Sequence, residues 1–139
     1  MTLTVHIITP EKALPPRQAD HVTVPASEGD AGIRTGHAPY VAQLRNGRLF
    51  VKSATNPDES WAVRGGVVQV YKDEVKILTE GATPAAEVSE KDLLVRLEKL
   101  LAATYEDPIE KVKAKAEAQW IVSQLTVAGK TTPDISKMG

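Results

Sequence analysis

Along the first part of the chain the apolar residues come in short runs rich in branched side chains: Val5 to Ile8, His21 to Val24, Val41 to Leu44, Arg48 to Val51, Trp61 to Val63, Val67 to Val70 and Val75 to Leu78. Such runs predict strands, because a branched Cβ packs well on a pleated surface and loses rotamer freedom in a helix. Between them lie turn formers, among them Pro15-Pro16, Glu28-Gly29-Asp30, Asn46-Gly47, Asn56-Pro57-Asp58 and Lys72-Asp73. Their spacing is close to the roughly 8 to 12 residues of an antiparallel sandwich, and the lack of an intervening helical period argues against a parallel sheet. Asn46-Gly47, between Leu44 and Leu49, is the strongest hairpin signal, since a type I′ turn needs positive φ at both central residues. Gly65-Gly66 precede a strand rather than a helix, so they predict a bulge or a close backbone approach and not a phosphate cradle.

Past Gly81-Ala82-Thr83-Pro84 the period changes from two to that of a helix. Ser89 is placed to cap, with Asp92 in the capping-box position, and Leu93, Leu97, Leu100, Leu101 and Thr104 fall on one face. A second helix is predicted from Asp107 as N-cap and Pro108 at the first position. Its stripe runs Ile109, Val112, Ala116, Trp120 beside Ala114, Ala118, Ile121, Leu125, and Gly129 is placed to end it. The short break at Tyr105-Glu106 demands an antiparallel pair. The expected fold class is therefore α+β: an N-terminal antiparallel β-sandwich over residues 1–86, then a C-terminal two-helix hairpin and tail over residues 87–139. Two helices share little core, so the hairpin is expected to dock conditionally on something else.

Composition narrows the function. The 139 residues carry 17 Lys+Arg against 18 Asp+Glu, and neither half is a polyion, which removes the electrostatic drive toward nucleic acid or an anionic membrane surface. Zero cysteines exclude a disulfide framework, a thiolate zinc site and a cysteine nucleophile. Aromatics are 4%, too few for a base- or sugar-stacking platform. No apolar stretch nears the roughly 18 residues of a membrane span, and the N-terminus lacks a signal or transit pattern, so no direct membrane insertion is expected.

The search for chemistry returns little. His6, His21 and His37 have no metal-ligand spacing, and His37, within Gly36-His37-Ala38-Pro39, reads as an imidazole whose ring nitrogens tie down loop backbone. Ser27, Ser53 and Ser60 lack a nucleophile-elbow context, and the carboxylate pairs Asp58-Glu59 and Asp73-Glu74 sit at turns. Lys111, Lys113 and Lys115, spaced by two, spread around the second helix; they read as a solvated face, with a docking surface for an acidic partner as the functional alternative. No catalytic residue, metal ligand or cofactor site is expected. From residues alone, a freestanding β-sandwich binding a small ligand or peptide stays open.

Several strings nevertheless resemble one family. Glu28-Gly-Asp-Ala-Gly-Ile33 followed by Gly36-His37-Ala38-Pro39, then Val63-Arg-Gly-Gly-Val-Val-Gln-Val70 and Val75-Lys-Ile-Leu78, are similar in order and content to the epsilon subunit of bacterial F-type ATP synthases, the homologue of the mitochondrial delta subunit. The resemblance implies a non-catalytic rotor subunit that binds the gamma subunit and the c ring, peripheral on the cytoplasmic face of the inner membrane, coupling rotation to ATP synthesis. It implies that the loop from Glu28 to His37 faces the c ring, with Glu28, Asp30 and His37 as contact residues. It also implies a hairpin that lies compactly or extends toward the alpha/beta head and blocks hydrolysis, where Lys111, Lys113 and Lys115 would meet acidic segments. Some members bind ATP through Ile/Leu-Asp-x-x-Arg-Ala at the first helix; here Ser89, Asp92 and Leu93 replace the aspartate, arginine and alanine. Exchanging the arginine for an aspartate removes a phosphate-binding cation and adds a repelling anion, so no ATP site is expected.

Overall fold

The computed structural model describes residues 2–138. Ten strands come first: β1 (Leu3–Ile8), β2 (Arg17–Ala19), β3 (His21–Ala26), β4 (Gly29–Arg34), β5 (Tyr40–Leu44), β6 (Gly47–Lys52), β7 (Glu59–Val63), β8 (Gly66–Tyr71), β9 (Glu74–Leu78) and β10 (Ala82–Pro84). A 3₁₀ turn, Ala85–Glu87, leads to helices α1 (Glu90–Ala102) and α2 (Pro108–Val127), and a second 3₁₀ turn, Ser136–Met138, lies near the end. Every apolar run read from the sequence lies in a strand. The strands without such a run are β2 and β10, three residues each, and β4, whose sequence GDAGIR buries only Ile33.

The strand ladder forks at β3. One edge of β3 pairs with β4; the other pairs with β6 through His21, Val22 and Thr23, then with β5 through Ala26 opposite Leu44. Two sheets result, β4-β3-β6-β7-β10 and β5-β8-β9-β1-β2, joined at that pair. Their facing sides bury Leu3, Val5, Ile7, Val22, Val24, Ile33, Leu49, Val51, Val63, Val68, Val75 and Ile77. Complete burial of such side chains contributes about 1.5–3 kcal/mol each. At the open side, Arg17 Nε reaches both carboxylate oxygens of Glu59, at 2.9 and 3.0 Å, and the guanidinium carbon stands 4.8 Å from the Trp61 ring centre.

Two sequence expectations are corrected here. Asn46-Gly47 does not close a hairpin, because β5 and β6 lie in different sheets and the chain crosses between them at this point. Gly47 lacks positive φ; it is needed because a Cβ there would stand 2.8 Å from the Pro25 Cβ. Two successive positive φ values, 46° and 62°, occur instead at Lys72-Asp73, which closes the β8–β9 hairpin. The sheet is also not wholly antiparallel: β1 runs parallel to β9, from Thr4 opposite Glu74 to Ile8 opposite Leu78. Gly66 meets its expectation of close backbone approach, with φ 114° and a Cβ position that would overlap the Leu78 carbonyl.

The helices are capped as their sequences direct. Ser89 accepts from the Asp92 amide at 3.4 Å and Asp107 from the Ile109 amide at 2.9 Å. Tyr105 donates its hydroxyl to the Leu100 carbonyl at 2.9 Å, satisfying one group that the end of α1 leaves unpaired. At the end of α2, Gly129 has φ 76°, its amide donates to Thr126, and the Lys130 amide donates to Leu125 at 2.8 Å. That is a Schellman reversal. The helices bury Leu93, Leu97, Ala114, Ala118, Ile121 and Leu125 together, with Met138 from the tail.

The apolar stripes need correction at their ends. α1 stops at Ala102, leaving Thr104 exposed outside it, and Ile109 and Val112 on α2 are 66% and 67% exposed. The side chains of α2 that touch the sandwich fall between Glu117 and Val127. Its first turns therefore have no sheet beneath the face that carries Ile109 and Val112.

Candidate functional site

The segment from Glu28 to His37 is not a loop but mostly the strand β4. Ser27 and Glu28 form the β3–β4 turn, with Ala26 opposite Gly29, and Thr35-Gly36 form the next turn. This places Glu28 and Asp30 at the start of β4 and His37 beyond its end, the six-residue strand itself being roughly 20 Å long at about 3.3 Å per residue. The strand reading was missed because β4 has glycine at its first and fourth positions and Ile33 as its one large inward apolar residue, beside the small Ala31.

Each end is held by its own contacts. At the first, Asp30 Oδ1 lies 2.6 Å from Arg45 Nη2, and Arg45 also donates to the Ala26 carbonyl. Asp30 therefore presents a half-neutralised pair rather than a lone anion. Arg45 is near because the β3–β5 pairing brings it there, a relationship without a local sequence signal. At the other end, the Gly36 amide donates to Asp73 Oδ1 at 2.7 Å, while the Asp73 carbonyl accepts from the Thr4 amide at 2.9 Å. Asp73 thus joins the β4–β5 loop, the β8–β9 turn and the start of β1. His37 Nδ1 stands 2.7 Å from the Ala38 carbonyl, the backbone tie expected of it.

Tyr40 connects the two ends. The His37 ring meets it edge-on, with centroids 5.6 Å apart and planes at 67°. On the other side, Tyr40 shares a shallow surface depression with Glu28, Val41 and Gln43. Val41, which lines the same depression, is 70% exposed, an apolar side chain beside Glu28. Tyr40, Val41, Arg45 and Asp73 are the members that sequence reasoning missed.

The other candidates lie apart from that surface. Lys111 and Lys113 are exposed on the first turns of α2 and Lys115 is half-buried, flanking the exposed Ile109 and Val112. His6 Nε2 is 3.1 Å from Glu74 on the neighbouring strand, and His21 lies across Gly32, so the three histidines stay separate. Among the described residues no group of three or more His, Asp or Glu side chains is placed to hold a metal ion.

Between sandwich and hairpin runs a thin seam. Arg64, after β7, pairs with Glu117 Oε2 at 3.0 Å, and Arg96 of α1 pairs with Glu117 Oε1 at 3.0 Å. Trp120, 8% exposed, packs over Gly81, where an added Cβ would come within 3.3 Å of its ring. The buried clusters of sandwich and hairpin share no residue, and Trp120 belongs to neither.

Comparison with known proteins gives a consistent picture. The family described as ATP synthase, Delta/Epsilon chain, beta-sandwich domain matches residues 2–85. An ATP synthase epsilon chain of Nostoc punctiforme is 42% identical over 83 residues, a match that spans 59% of this chain and 61% of that protein. One from Trichodesmium erythraeum is 35% identical over 136 residues, 93% of this chain and 97% of its own. In fold, the chain is similar to one in the mitochondrial ATP synthase of Euglena gracilis, solved as an OSCP/F1/c-ring assembly, with TM-score 0.73 and 22% identity over 86% of this chain and 77% of that one.

Proposed function

The chain belongs to the ATP synthase delta/epsilon chain family, and from that premise we propose that it works as a non-catalytic epsilon subunit of the central stalk, binding the gamma subunit and the c ring. In this reading it carries rotation between membrane sector and catalytic head, and its helical hairpin leaves the sandwich to inhibit ATP hydrolysis. The protein sits peripherally on the cytoplasmic face of the bacterial inner membrane as part of the complex; among the described residues no helix is long and apolar enough to cross a membrane.

The observation that carries the two-state reading is the seam. Residues 1–86 and 87–139 act as separate units in this proposal, supported by buried clusters that do not mix. They meet where the second half of α2 lies on β6 and β7, through Trp120 over Gly81 and a shared carboxylate, and part-exposed ion pairs contribute only about 0–1 kcal/mol each. A joint of that strength suits an element that must leave its seat, since a population shift across a switch needs only a few kcal/mol.

The surface of Glu28, Asp30, Tyr40, Val41 and His37 is the proposed c-ring contact. An exposed apolar side chain, together with a charge pair and an imidazole, fits a protein neighbour better than a small ligand, because the surface is shallow and lacks convergent buried polar groups. Lys111, Lys113 and Lys115 are the proposed contacts to acidic segments of the alpha/beta head. The test is direct: mixed with a gamma subunit from the same source, the protein should co-migrate on gel filtration. Separate migration would overturn the rotor reading.

A further inference from the structure

Resting on the reading of a hairpin that opens, we propose that residues 131–138 form a strap that fastens the two helices to each other and must be released before they separate. The Schellman reversal at Gly129 turns the chain back on itself at the far end of α2. Met138 then lies beside Leu100, Leu101, Tyr105 and Lys111, at the end of the hairpin where the helices are joined. The tail therefore runs the length of α2. Six residues from Lys130 at up to roughly 3.3 Å each and a three-residue 3₁₀ turn at about 2.0 Å each reach about 26 Å, and the stretch of α2 from Lys111 to Val127, at about 1.5 Å per residue, is about 24 Å long.

Only Ile135 and Met138 are large and apolar in this tail, and both pack against the helices. Met138 is 6% exposed, in the same buried group as Leu93, Leu97, Ala114, Ala118 and Ile121. The 3₁₀ turn follows Ile135 directly, and Ile135 and Met138, three positions apart, both pack on the helix pair. Asp134 Oδ1 starts that turn by accepting from the Ser136 amide at 2.8 Å, and the Met138 amide closes it onto the Ile135 carbonyl at 3.0 Å. The contacts from Ser136 hold the Asp134 carboxyl below its usual range.

The small side chains Ala114 and Ala118 on α2 explain why a third element is required. Facing Leu93 and Leu97 across the pair, they contribute little volume, and the seam is completed by Ile135 and Met138 from outside. Removing the strap exposes that seam without touching the contact between α2 and the sandwich.

Native-state amide hydrogen exchange on the full chain tests the strap, with Met138→Ser and a chain ending at Lys130 as variants. Amides of α1 from Leu93 to Leu101 should exchange at least about tenfold faster in both, while those of β8 and β9 keep their wild-type rates. Unchanged α1 exchange in both variants would overturn the strap. Hydrolysis by the reconstituted complex separates this from the underlying reading: faster α1 exchange with no change in inhibition would leave the strap standing and remove the inhibitory role of the hairpin.

Discussion

Arg64 at the rim of the sandwich and Glu117 on α2 lie 3.0 Å apart, and the second oxygen of the same carboxylate is 3.0 Å from Arg96 on α1. One side chain thus ties both helices to a sandwich whose buried core is separate from theirs. Glu117→Gln should weaken both pairs at once and shift the hairpin away from the sandwich, at a cost of no more than about 2 kcal/mol because each pair is part-exposed. A fluorophore pair on β7 and α2 reads the separation. Exchanging the charges, Glu117→Arg with Arg64→Glu, should recover part of the loss; an unaltered distance in Glu117→Gln would mean that the packing of Trp120 and the last turns of α2 seats the helix.

Asp73 is the corresponding fastening at the proposed ring surface. Asp73→Ala removes the acceptor for the Gly36 amide and places alanine at φ 62°, so it should destabilise the sandwich by about 1.5–3 kcal/mol. Asp73→Asn keeps a side-chain oxygen and tolerates that backbone, and should cost under about 1 kcal/mol. Urea unfolding distinguishes the two, and equal losses would show that the carboxylate charge, not its geometry, is what matters.

The glycines differ in what they would cost. Gly66→Ala drives a methyl into the backbone at Leu78 and should cost more than about 3 kcal/mol, enough to leave little folded protein. Gly129→Ala meets open space and only the positive φ of 76°, so about 1–2 kcal/mol is expected. Thermal melts of both variants check the order; a Gly66→Ala chain as stable as wild type would contradict the close β8–β9 approach.

Much of this was legible in the sequence and some was not, for identifiable reasons. Core strands announced themselves because both sheets bury alternating Val, Ile and Leu, and the helix ends did so because Ser89, Asp107 and Gly129 act through local hydrogen bonds. Pairing is not local. Asn46-Gly47 looked like a hairpin because turn chemistry says nothing about which sheet the next strand joins, whereas the β8–β9 hairpin turns through positive φ at Lys72-Asp73 without any glycine. In the candidate surface, Glu28, Asp30 and His37 were visible as residue types, but Arg45 reaches Asp30 across 15 positions of sequence and Asp73 reaches Gly36, beside His37, across 37. Ile109 and Val112 kept a helical period that no neighbour uses within the chain.

Near the first helix, Asp92 stands where the family resemblance implies a phosphate-binding arginine in ATP-binding members, and Ser89 is occupied as a cap. Calorimetric titration with ATP and magnesium should give no binding at sub-millimolar concentrations. A clear isotherm in that range would refute the charge argument.

The central claim is that the hairpin is a detachable inhibitory arm on a rotor sandwich, and ATP hydrolysis by the reconstituted complex measures it most directly. Complexes assembled with a chain ending at Glu87 should retain the subunit through the sandwich and hydrolyse ATP faster than those with the full chain. Equal hydrolysis with equal occupancy of the truncated and full chains would contradict it.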